Sequence, residues 1–172
     1  AEPHLPGIEP PRAVAVPSDD DAHPAITGIA RVDRRTKDLA KRLLPGEIAI
    51  IDHTDLDRVA AEALVECGAS AVLNASPSIS GRYPNLGPGI LLDAGVPLVD
   101  DLGPDVMRLA EGSVVAVDLT GEAGPAGAVY AEGAAGPVAE GTVQTRGTVA
   151  ASMEDAKEGL SVQLEAFAAN TM

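Results

Sequence analysis

Aromatic side chains are nearly missing from this chain: among 172 residues there are one Phe, two Tyr and no Trp. A core without them has to be assembled from Ala, Val, Leu and Ile, through many small contacts rather than a few large anchors. Cysteine is scarce too. Cys67 stands alone, so no internal disulfide can form, and its position on an apolar helical face suits a small buried thiol. Cations are few, with 12 Lys and Arg against 26 Asp and Glu and a formal net charge of −14. That balance argues against a nucleic-acid surface, which needs clustered cations to displace counterions from phosphates. No run approaches the roughly 20 apolar residues of a membrane-spanning helix, and no signal peptide is visible. Direct membrane insertion is therefore not expected, and the chain reads as soluble and cytoplasmic. Its length suits one domain with appendages.

What is present is organised around residues 46–101, which read as strand, helix, strand, loop, helix, strand. Residues 47–52 are short and rich in isoleucine, as a buried strand requires. Thr54 is placed to cap the next helix, with Asp57 reaching back and Asp55 complementing the dipole. Leu56, Val59, Ala60, Ala63, Leu64 and Cys67 recur at three- and four-residue steps and are expected to form its apolar face. Gly68 stops the helix, residues 70–73 supply a strand, and a polar loop covers 74–85. A second short helix follows around Ile90–Leu92, with Pro88 in its first turn and Gly95 past its end, and then a strand at 96–99. Crossovers of this length imply a parallel sheet, whose ligand crevice lies beyond the carboxyl ends of the strands. Those ends carry Asp52-His53-Thr54, Asn74-Ala75-Ser76 and Asp100-Asp101.

Around this unit the chain divides into three parts. Residues 1–26 form a proline-rich, acidic arm, with a potential extended edge at 12–16. Residues 27–150 form the α/β domain. It includes a short helix near 36–45, another at 104–109, a strand at 113–118, a loop or loose hairpin at 120–136, and one or two edge strands within 138–148. Residues 151–172 form the longest helix, with a capping pair at Ser152 and Asp155 and an apolar seam through Met153, Ala156, Leu160, Leu164 and Phe167. No Gly or Pro stops that helix, so it reads as a connection toward a further domain or toward a second copy in a homodimer. The fold class expected is α/β, with a largely parallel central sheet, extra edge strands and a long C-terminal helix.

Binding chemistry concentrates in two places. The loop 77–89 offers Ser78, Ser80, an unobstructed backbone at Gly81 and the planar fork of Arg82, with Asn74 at its root. A phosphate or carboxylate would suit it, although a structural Gly/Pro turn accounts for the same residues. It matches neither a Walker loop nor a dinucleotide fingerprint. The segment 27–45 holds Arg31, Arg34, Arg35, Lys37, Lys41 and Arg42, half of the twelve cations. A solvated helix face explains them, or Arg34 and Arg35 present donor forks to an anion. His53 alone is weak evidence for a base or metal ligand, and no spaced His/Cys cluster supports one. No cofactor and no resident metal are expected.

The stretches GEIAIIDHTDLDRVAAEAL, GILLDAGVPLVDD and EGSVVAVD resemble the swivelling phosphohistidine domain of phosphoenolpyruvate-utilising enzymes. Where that family carries Thr-Ser-His, this chain reads SGRYPNLG, without the histidine that accepts phosphate. Over about 27–172, GIARVDRRTKDLAKRLLPGEIAIIDHTDLDRVAAE with LNASPSISGRYPNLGP and GVPLVDD resembles the actinobacterial SteA-type cytokinetic ring proteins. That resemblance implies a cytoplasmic role at the division septum, in cell separation and control of cell-wall hydrolysis within the cell cycle, beside a membrane-anchored coiled-coil partner. It also implies a C-terminal domain, similar to thiamine pyrophosphokinase, beyond residue 172. Two functions follow as expectations. The first is a non-catalytic regulatory or scaffold module binding a small phosphorylated or carboxylated ligand. The alternative is part of a nucleotide-dependent transferase in which Asp52, Asp100 and Asp101 hold a metal.

Overall fold

Three short apolar segments and one longer, mixed strand assemble side by side into a parallel core. They are β1 (Ala25–Asp33), β2 (Ile48–Ile51), β3 (Ala71–Asn74) and β4 (Leu98–Asp100). The computed structural model describes residues 25–121 and 124–170. All but two residues of the proline-rich arm, including the extended edge expected at 12–16, lie outside that range. Helices α1 (Thr36–Ala40), α2 (Arg58–Glu66) and α3 (Gly87–Asp93) make the crossovers. Every residue of β2 and β3 is buried, because helices cover one face of the sheet and later strands curl over the other.

Antiparallel strands extend both flanks. β5 (Val114–Asp118) pairs β1, β6 (Ala128–Ala131) pairs β5, β7 (Ala139–Glu140) pairs β6, and β8 (Thr142–Val143) pairs β4. The order is therefore β7-β6-β5-β1-β2-β3-β4-β8. Since β7 and β8 sit at opposite ends of that order yet are separated in sequence by Gly141 alone, the sheet curls until its two edges nearly meet. Gly141 is the stitch. Its N–H donates to the Gly127 carbonyl at 3.1 Å, and a Cβ on it would stand 2.4 Å from the Asp100 carbonyl oxygen.

Two apolar layers result. Inside the curl, Ile48, Ile50, Leu73, Val99, Val115, Val117 and Val129 pack with Val106 of the 3₁₀ turn at Pro104–Arg108 and with Leu109 just after it. Outside it, Ala49, Ile51, Val72 and Leu98 meet Leu39, Leu43, Leu56, Ala61, Leu64 and Leu91 of the helical layer. Only small aliphatic side chains fill both layers, as the shortage of aromatics required.

The α/β class, parallel centre, edge strands and long C-terminal helix agree with expectation, and several details differ. Residues 25–33, split between arm and domain by the sequence reading, form the central strand, flanked by β2 and β5. Of the loop or loose hairpin expected over 120–136, the structure shows the hairpin, with β6 pairing antiparallel to β5. Asp57, not Thr54, caps α2: it accepts from the Ala60 N–H at 2.8 Å. The buried face of α2 runs through Ala61 and Leu64, leaving Val59 76% exposed. The last helix, α4 (Arg146–Asn170), begins five residues earlier than expected, because Thr145 and Thr148 bond reciprocally as a capping pair at 2.8 and 3.1 Å. Its seam packs at Ala156, whereas Leu164 and Phe167 are exposed. Among the described residues, no helix is long and apolar enough to cross a membrane.

Candidate functional site

The polar residues expected after each parallel strand do gather, and they divide into two groups with different tasks. The first lies under the loop between β3 and α3. Asn74 is fully buried and uses all its hydrogen-bonding capacity. Its Nδ2 donates to the His53 carbonyl (2.9 Å) and to Ser78 Oγ (2.8 Å), and its Oδ1 accepts from the N–H groups of His53 and Ser76 at 3.0 and 3.1 Å. Ser78, also buried, donates its N–H and Oγ to the two oxygens of Asp100 at 2.8 and 2.6 Å. Gln144 donates to the same carboxylate at 3.2 Å. Burial pushes the Asp100 carboxyl above its ordinary range, against the opposing pull of the Ser78 and Gln144 donors.

A second carboxylate anchors the loop farther along. Asp55 is buried, with a left-handed backbone (φ 59°). It accepts from the N–H and Oγ of Ser80 and from Asn85 Nδ2, at 2.8, 2.9 and 2.9 Å. It therefore serves the loop rather than the α2 dipole. Gly81 is open on its Cα side, where a Cβ would meet nothing within 4 Å, but its carbonyl oxygen is covered by α4: a Cβ on Gly159 would stand 2.7 Å from it. Nor does α3 offer an anion its first turn. A Cβ on Gly87 would meet the Leu56 and Asp57 carbonyl oxygens at 2.3 and 2.9 Å, a surface of partial negative charge. Arg82 remains exposed on the loop.

The second group forms a cleft at the carboxyl ends of β1 and β2. The structure sorts the six cations of the basic segment sharply. Arg31 grips Glu47 through two bonds of 2.9 and 2.8 Å and also reaches Glu111. Arg42 joins Glu111, Asp33 and the Val32 carbonyl, and these contacts hold the Glu111 carboxyl down to about 2. Lys41 lies 3.8 Å from Asp38. Arg34, Arg35 and Lys37 make no ion pair among the described residues, and all three line one cavity of about 360 Å³ with Thr36, Asp52, His53 and Thr54.

His53 is built into the wall of this cleft. Its Nδ1 shares a 2.8 Å hydrogen bond with the Thr36 hydroxyl, which fixes the ring in the cleft wall, and its Nε2 lies 3.9 Å from Asp57 Oδ2. Asp52, on the rim, accepts from Ser76 Oγ, which couples this cleft to the β3 loop. The signal in sequence was the Asp-His-Thr run directly after an apolar strand, facing an Arg-Arg-Thr-Lys run directly after another. A second cavity of about 410 Å³ shares Thr36, Lys37 and His53 with the first and continues between α1 and α2.

Asp52, Asp100 and Asp101, expected together in the transferase reading, do not assemble: Asp100 is consumed by Ser78 and Gln144, and among the described residues no group of three His, Cys, Asp or Glu is placed to hold a metal ion. The chain matches no protein-family model and no curated protein sequence, so fold and site geometry carry the functional argument.

Proposed function

We propose that this chain is a non-catalytic regulatory module whose ligand carries a phosphate or carboxylate, bound in the cleft formed by the β1–α1 and β2–α2 connections. One observation carries this reading. In a chain with a net charge of −14, three cations that make no ion pair among the described residues line one cavity, with Asp52 as its single carboxylate, at the carboxyl ends of two parallel strands. Unpaired cations gathered in this way repel one another, and an anion relieves that repulsion while using the guanidinium forks of Arg34 and Arg35. Asn74, Ser78 and Ser80 act from beneath, as the frame that holds the neighbouring loop. By its resemblance to SteA-type proteins, the module serves cell separation at the division site, with a membrane-anchored coiled-coil partner. The swivelling-domain likeness fits a ligand-responsive role that needs no phosphorylated histidine. The transferase reading draws no support from its three acids, since among the described residues no group of three is placed to hold a metal ion.

The test is thermal unfolding with a panel of phosphates and carboxylates. A native-state ligand at a hundred times its Kd adds about 2.7 kcal/mol, which raises Tm by roughly 5–10 °C in a domain of this size. Replacing Arg34 or Arg35 with Ala should weaken binding about tenfold each, the loss of one charge-assisted contact. Retained binding in both variants, with loss in Arg82→Ala, would transfer the site to the 74–89 loop. No shift with any probe would remove the ligand-binding function.

A further inference from the structure

The two cavities that share Thr36, Lys37 and His53 differ in chemistry. The outer one is lined by three cations, Arg34, Arg35 and Lys37, and one carboxylate, Asp52, with Thr36, His53 and Thr54. The inner one continues between α1 and α2 over Ala40, Val59, Ala60 and Ala63, with its polar residues Thr36, Lys37, His53 and Asp57. Three of those four, Thr36, Lys37 and His53, are shared with the outer cavity, and the fourth, Asp57, lies 3.9 Å from His53 Nε2, so the polar residues cluster at one end. The aliphatic stretch from Val59 to Ala63 covers about 6 Å along α2, at 1.5 Å per residue.

We infer that the ligand of this cleft is a small single-chain amphiphile, an alkyl or acyl chain ending in one phosphate or carboxylate. This inference rests on the anion-binding reading above and names the class of ligand. The headgroup lies against Arg34, Arg35 and Lys37, and the chain lies along Ala40, Ala60 and Ala63 under the rim formed by Val59. Charge complementarity fixes the orientation, since a −14 chain presents three cations against one carboxylate beside a trough of alanine and valine side chains. A peptide occupant fits less well. Each of its residues carries an N–H and a C=O that must be satisfied, and beyond the polar end the trough offers only alanine and valine side chains. The exposure of Val59, 76% on a helix whose neighbours at Ala61 and Leu64 are buried, is accounted for by a ligand chain that covers it.

The experiment titrates the protein by calorimetry with inorganic phosphate and then ethyl, butyl, hexyl and octyl phosphate, all below their aggregation concentrations. Affinity should rise about two- to fourfold per added methylene, the fold-change for burying a CH₂, and level off once the chain passes Ala63. Val59→Asp should flatten that rise, and Arg35→Ala should shift the whole series down in parallel. Phosphate binding with no dependence on chain length would overturn the amphiphile and leave the anion site standing. Silence across the series would overturn both. Binding to vesicles of anionic phospholipid, with no binding of the single-chain phosphates, would also overturn the inference, since it would make the trough part of a membrane-contacting face.

Discussion

Replacing Gly141 with Ala tests the closure of the sheet directly. No positive φ requires glycine at this position, so an alanine meets no backbone penalty, and the effect is steric. The added Cβ would stand 2.4 Å from the Asp100 carbonyl oxygen and 2.8 Å from Leu102 Cγ. Ordinary contact begins near ~3.5 Å, so the neighbours must retreat by about 1 Å. The nearer of them is main chain of β4, held in register by β3 on one side and β8 on the other. Overpacking of this kind costs about 1–3 kcal/mol, offset by about 0.5–1 kcal/mol from the lower entropy of the unfolded chain. The net loss, centred on ~1 kcal/mol, should lower Tm by roughly 2–4 °C in thermal unfolding followed by circular dichroism. Gly136→Ala is the control: nothing lies within 4 Å of its Cβ position, and it should be neutral or slightly stabilising. Adding Leu102→Ala to Gly141→Ala should not restore stability, because the tightest contact is with a carbonyl. A Gly141→Ala protein that melts at or above the parent temperature, or one rescued by Leu102→Ala, would refute the stitch.

Two further outcomes are expected. Glu111 is held at about 2, well below its ordinary 4.5, by Arg42 and then by the Val32 N–H and Arg31. A depressed acid contributes stability that is present above its unfolded value and lost as pH falls through the folded one. Glu111→Gln should therefore lower stability by about 1 kcal/mol at neutral pH, after allowance for solvent screening, and the difference should fade between roughly pH 4.5 and 2 in urea titrations; a pH-independent difference would remove the ion-pair explanation. Asp100→Ala leaves the buried N–H and Oγ of Ser78 without acceptors, a loss of about 2–4 kcal/mol, and hydrogen exchange should show the greatest gain at 78–81. Unchanged protection there would mean that the loop does not depend on its carboxylate anchor.

The parallel centre was legible because its signals are local. Isoleucine-rich β2, the glycine stops at Gly68 and Gly95, and Pro88 in the first turn of α3 all act within a few residues. β1 was not legible, because what makes it a strand is distant. Gly28 weakens its propensity, Arg31 interrupts its apolar pattern, and its burial comes from β2 and β5. Gly28 has its own long-range reason, since a Cβ there would stand 3.2 Å from the Gly46 carbonyl oxygen. The same limit applied to the site. Serines and aspartates in loop 74–89 announce polar chemistry without saying whether they face a ligand or each other. Ser78, Ser80, Asp55 and Asp100 face each other. Conversely, Arg34 and Arg35 could be recognised as available donors only after Arg31 and Arg42 were seen to be engaged by Glu47 and Glu111, the latter about 80 residues away.

The position of β1 has a kinetic consequence. One of its edges pairs with β2, which follows soon in the chain, but the other waits for β5, which begins just after Glu111, 80 residues beyond Arg31. At about 5–20 residues per second of synthesis, that edge stands uncovered for roughly 4–16 s while the parallel half forms around it. An uncovered strand edge is a template for pairing with other chains. Thr27 and Gly28 lie on the stretch that waits, and a glycine there makes β1 a poor template. The feature that hid this strand from recognition also protects the nascent chain until its antiparallel partner arrives.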